Sequence, residues 1–112
     1  AYPESWFSYL HLCDAAATKP APDGLRGEAR GGRLYPGEGA LALIPLIQAI
    51  PTGTPVAIEA PSVKHAELSL KARATLAAKM TRALLAAVAA GADVGTGGAS
   101  VQGNAKMGTG SP

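Results

Sequence analysis

The chain holds 112 residues, room for one small domain and not for two. A hydrophobic fraction of 47% supplies material for a core, though much of it is alanine, and a formal charge of +2 is too weak for an electrostatic nucleic-acid binder. The lone cysteine, Cys13, excludes an internal disulfide and fits a reducing, cytoplasmic compartment.

Residues 7–13, FSYLHLC, predict a buried strand, being aromatic and apolar and followed by a polar stretch. Residues 15–39 predict a long loop with Pro20, Pro22 and several glycines. A structureless loop of that length is usually functional or disordered. Residues 41–50 predict a short helix with Pro45 in its first turn, where a missing N–H costs nothing. IPTGTP turns the chain, and residues 55–60, PVAIEA, predict a second strand. Ser69 predicts the N-cap of a helix running to about residue 90, with Gly91 as its stop. On it, Ala77, Met80, Leu84, Ala87 and Val88 share one face, and Lys71, Thr75, Lys79 and Arg82 another. Residues 91–112 are rich in glycine, serine and threonine and predict a disordered tail. No apolar run reaches the roughly 18 residues of a transmembrane helix, so no membrane partner is expected.

The order is β, α, β, α, which implies a parallel pair in an α/β fold. Two strands do not close a sheet, and both edges stay open. The chain also enters a strand almost at once. Together these predict a piece of a longer protein.

In parallel α/β folds, functional residues gather at the C-terminal ends of strands. Those ends carry His11 and Asp14 after the first strand and Glu59 in the second. An imidazole and a carboxylate there have the composition of a mixed N/O divalent-metal site. His11 reads equally as a buried histidine bonded to backbone. Glu59 is costly to bury unless paired or metal-bound. Arg33 offers a forked donor set for phosphate or carboxylate oxygens, or is a solvated loop arginine. Gly37 and Gly39 let backbone approach a ligand closely, or simply make a turn. Cys13 reads as a small core residue and His65 as an ordinary loop histidine.

The combination YLHLCDA, then RLYPGEG, then PVAIEAP resembles the last two strand–loop units of the sugar phosphate isomerase/epimerase family, the xylose isomerase-like TIM barrels. The resemblance covers roughly residues 5–88. It implies that residues 1–90 are the C-terminal part of an incomplete (β/α)8 barrel. In that family two Glu, one Asp and one His from four strands hold a divalent cation, commonly manganese, magnesium or zinc. By motif position, His11 resembles the histidine ligand and Glu59 the last glutamate ligand, which also moves protons in the epimerases. Arg33 matches an arginine on substrate oxygens, Asp14 an acidic residue near the substrate, and Gly37 and Gly39 the loop that closes over it. The remaining ligands come from earlier strands that this chain does not contain. The implied function is sugar or sugar phosphate isomerisation or epimerisation within a longer barrel. The isolated chain is expected to be inactive, and either the missing N-terminal portion or self-association would have to complete it.

Two alternatives stand beside this. The apurinic endonuclease branch of the same superfamily places an Asp-Arg-His triplet of metal ligands before its GxG loop. Here Gly31, Gly32 and Arg33 occupy those positions. The other alternative is a non-catalytic remnant.

Overall fold

The computed structural model describes residues 2–91. The expectation of a disordered tail therefore lies outside the described residues, apart from Gly91.

Two short strands form the sheet, β1 (Leu10–Leu12) and β2 (Val56–Ile58). They run parallel in the register Leu10 to Val56, His11 to Ala57 and Leu12 to Ile58. Both are shorter than their apolar runs. Ahead of β1, Glu4–Trp6 winds into a 3-10 turn. Past β1, Asp14 leaves the sheet to form an antiparallel bridge with Leu34. Pro55 and Pro61 flank β2, and neither has an N–H to extend a ladder.

The segment 15–39 is not the structureless loop its composition suggests. Pro22–Gly24 makes a 3-10 turn that runs into helix α1 (Leu25–Gly31). This helix buries none of its residues, so it has no apolar stripe to announce it. Helix α2 (Leu43–Gln48) holds Pro45 in its first turn, as expected. Helix α3 (Leu70–Ala89) follows its sequence signals closely. Ser69 Oγ accepts the Ala72 N–H at 3.2 Å. At the other end, Gly91 adopts a φ of +66°, and its N–H donates to Val88 O at 3.1 Å.

Helix α3 lies against α2 and β2. Its residues Ala77, Met80, Leu84, Ala87 and Val88 are buried or half-buried, while Lys71, Thr75, Lys79 and Arg82 are exposed. Leu12, Tyr35, Leu43 and Ala77 form a small apolar core, which Thr81 joins. Strand alternation then divides the sheet. Leu10, Val56 and Ile58 border the clefts against α3. His11 and Ala57 stand on the opposite face, where both are exposed. Among the described residues, no helix is long and apolar enough to cross a membrane.

Candidate functional site

The parallel register brings the two strand ends together. Glu59 follows β2 directly, and its N–H donates to Leu12 O at 3.0 Å, which continues the ladder by one residue. Its side chain thereby reaches His11, and Glu59 Oε2 contacts His11 Nδ1 directly. Both side chains are about half exposed, on the face away from α3. The Tyr9 ring lies 5.0 Å from the His11 ring on that same face. His11 on β1 and Glu59 one residue past β2 thus stand together at one end of the parallel pair.

Arg33 joins them. Its backbone is held on both sides, by its own N–H to Pro61 O at 3.1 Å and by the bridge between Leu34 and Asp14. Its Nε lies 3.4 Å from Glu28 Oε1 of α1. That carboxylate steadies the guanidinium while Arg33, His11 and Glu59 line one cavity of about 290 Å³. Cys13, Ala29 and Pro61 help to wall it. Cys13 is half-buried there and not the core residue expected of it. A larger cleft of about 700 Å³, between α2 and the end of α3, is bordered by Leu10, Ile47, Val56, Leu85 and Val88. It carries no ionisable side chain and is remote in chemistry from the first.

Asp14 and the two glycines are engaged elsewhere. Asp14 is 1% exposed, and its carboxylate accepts four backbone N–H groups. Oδ1 takes those of Ala15 at 2.8 Å and Leu41 at 3.0 Å. Oδ2 takes those of Gly37 and Gly39, each at 3.0 Å. The expectation that Asp14 meets substrate is corrected: its oxygens are turned into the loop and closed to solvent. The same holds for the glycines. Gly37 has a φ of +92°, which suits a residue without a Cβ. A Cβ on Gly39 would lie 2.6 Å from Asp14 Cγ and against the Ala15 carbonyl oxygen. The close backbone approach is real, but it is made to Asp14.

A second carboxylate escaped the reading of the sequence. Glu38, in the middle of PGEG, has a side chain only 6% exposed. Its Oε2 accepts the Tyr35 N–H at 2.9 Å, and its Oε1 lies 2.5 Å from His65 Nε2 and 3.4 Å from Lys64 Nζ. The Tyr35 ring stacks on His65 with centroids 4.9 Å apart. Burial works to raise the Glu38 carboxyl, but the Tyr35 N–H, the His65 hydrogen bond and the charges of His65 and Lys64 outweigh it. The net shift is downward from its ordinary value of 4.5. The signal was available in part: an acidic residue between glycines that a neighbouring carboxylate holds must either face water or find a donor. Its donor, His65, lies 27 residues on and could not be paired with it by spacing.

His11 and Glu59 bring an imidazole and a carboxylate together, which suits a divalent cation in kind, while Nδ1 and Oε2 are here engaged with each other. In number they are two ligands. Among the described residues, no three His, Cys, Asp or Glu side chains converge. No protein-family model, curated protein or solved structure matches the chain.

Proposed function

We propose that the chain supplies part of a sugar or sugar phosphate isomerase/epimerase site within a xylose isomerase-like barrel. The observation that carries this reading is the convergence of His11, Glu59 and Arg33 on one cavity at the C-terminal end of a parallel strand pair. By the proton-transfer route, isomerisation and epimerisation both need a base beside a sugar carbonyl and a group that holds the sugar's oxygens. The Glu59 carboxylate is the base. It takes the proton from the carbon next to the carbonyl. In isomerisation it returns it to the former carbonyl carbon while a proton passes between the two oxygens, and in epimerisation a second acid would reprotonate the same carbon from the opposite face. His11, in contact with Glu59 Oε2, orients that carboxylate. Arg33 offers its forked N–H groups to hydroxyl or phosphate oxygens. The cation, manganese, magnesium or zinc, would be held by His11 and Glu59 and, when bound, supplies Lewis acidity to the carbonyl and hydroxyl oxygens.

Its partners in this reading are a small-molecule sugar and further strands that extend the sheet, with no nucleic acid and no membrane. The single free cysteine supports a cytoplasmic setting. The test is a chimera in which residues 5–90 replace the last two strand–loop units of a barrel of this family. Transfer of deuterium from solvent to the carbon beside the carbonyl is followed by NMR across a panel of ketoses and ketose phosphates. Incorporation that Glu59→Gln abolishes and Arg33→Ala weakens through KM supports the reading. Incorporation indifferent to Glu59 sinks it.

A further inference from the structure

We propose that Glu38 and His65 are positioning residues: their pair clasps the loop bearing Arg33 to the loop that follows Glu59, and so sets the gap across which a substrate lies. The inference rests on the reading of His11, Arg33 and Glu59 as a sugar site, and adds two residues to it.

Two connecting segments, called loops below, leave the C-terminal ends of the strands: residues 13–42, which include α1, and residues 59–69. Near Arg33, backbone bonds lace them together. Arg33 N–H donates to Pro61 O at 3.1 Å, Val63 N–H donates to Gly31 O at 2.8 Å, and Gly32 bridges Ser62. Farther out, side chains take over. An ionised carboxylate can only accept, so the hydrogen between Glu38 and His65 sits on His65 Nε2 and is donated to Oε1. The other oxygen of Glu38 is held by the Tyr35 N–H, two residues from Arg33. The Tyr35 ring backs the imidazole, and the Lys64 ammonium adds charge at 3.4 Å. A carboxylate this buried needs its donors, since water does not replace them. Asp14 fastens the first loop to β1 through Gly37, Gly39 and Leu41. Glu38 fastens the same loop to the second one. Without the clasp, only the backbone links of Arg33 to Pro61, Val63 to Gly31 and Gly32 to Ser62 hold Arg33 near Glu59, and they open more often.

The test is amide hydrogen exchange on the full 112-residue chain at pH 7. Glu38→Gln, Glu38→Ala, His65→Ala and the double alanine variant are compared with the native chain. The Arg33 and Val63 amides are expected to exchange roughly tenfold faster in each single alanine variant, the cost of a charge-assisted bond. The double variant should add little, because the two side chains act as one unit. Glu38→Gln keeps the shape without the charge and should fall between. Amides of residues 77–84 in α3 should keep their rates. Unchanged exchange at Arg33 and Val63 overturns the proposal, and so does a uniform rise that includes α3, which reduces the pair to general support of the fold. In the chimera the same variants should raise KM for sugar several-fold and leave kcat near its starting value. A fall in kcat at constant KM overturns it as well. Exchange needs no substrate, so it decides the clasp even where the sugar reading fails.

Discussion

Replacing Asp14 by Asn measures how much of the loop after β1 hangs on one carboxylate. The carboxylate accepts four N–H groups, and an amide can offer one oxygen to them and turns its own N–H groups against the rest. Asp14→Asn is expected to destabilise by about 3 kcal/mol, read from urea unfolding. The glycines should rank in a definite order. Gly37→Ala meets open space but must hold a φ of +92°, at a cost of about 1 kcal/mol. Gly39→Ala drives a Cβ into Asp14 and the Ala15 carbonyl, so it should cost more. Equal effects would mean that the loop yields to the clash. Glu38 adds a pH dependence. Its folded carboxyl lies below the ordinary value of 4.5, so its ionised form stabilises the fold. That contribution is complete above pH 4.5 and is lost as pH falls through the lowered folded value. Thermal melts from about pH 6 downward should show the loss in the native chain, and Glu38→Gln should flatten it. These roles were out of reach of the sequence. The N–H groups that Asp14 binds from the loop lie 23 to 27 residues away, and a residue pattern records types and spacings but not which donor a carboxylate meets.

Elements were legible where local signals agreed. Helix α3 has a serine cap, a periodic apolar face and a glycine stop, and it forms between them. Ser69→Ala should lower stability by about 1 kcal/mol, measured by urea unfolding. The strands were legible in position and too long in extent, because prolines and the exit of Asp14 cut the ladder short. Helix α1 was hidden for two reasons. It contains two glycines and buries nothing, so neither propensity nor periodicity points to it. Thr81 was hidden differently. A threonine at a helical core position looks polar, yet it is 5% exposed and its Oγ1 has no hydrogen-bond partner among the described residues. Removing that hydroxyl removes an unmet desolvation cost. Thr81→Val keeps the shape and should stabilise by about 1 kcal/mol, seen as a higher urea midpoint at constant slope.

At the scale of the whole molecule, the layers are unequal. One face of the two-stranded sheet rests on α3, and the other exposes His11, Ala57 and the Tyr9 ring. Among the described residues, the two-stranded sheet also has two unpaired edges, which invite further strands. In a closed barrel of eight strands, that face would turn inward and those edges would be paired. In the proposed reading the site would be incomplete in the same way, since His11 and Glu59 offer two ligands. Two donors on an open face compete with bulk water for a cation, and a solvated site weakens the electrostatics on which proton abstraction depends. The 112-residue chain is therefore expected to bind manganese weakly, short of saturation where a four-ligand site would fill, and to turn over no ketose. His11→Ala and Glu59→Gln should each abolish the weak binding. Open edges predict a concentration-dependent rise in mass by sedimentation. The decisive comparison is calorimetric titration of manganese at protein concentrations on either side of that rise. Tight stoichiometric binding with sugar turnover by the monomer would falsify the incomplete-site reading. The same behaviour confined to the associated form would instead mean that several copies lend one another strands and ligands.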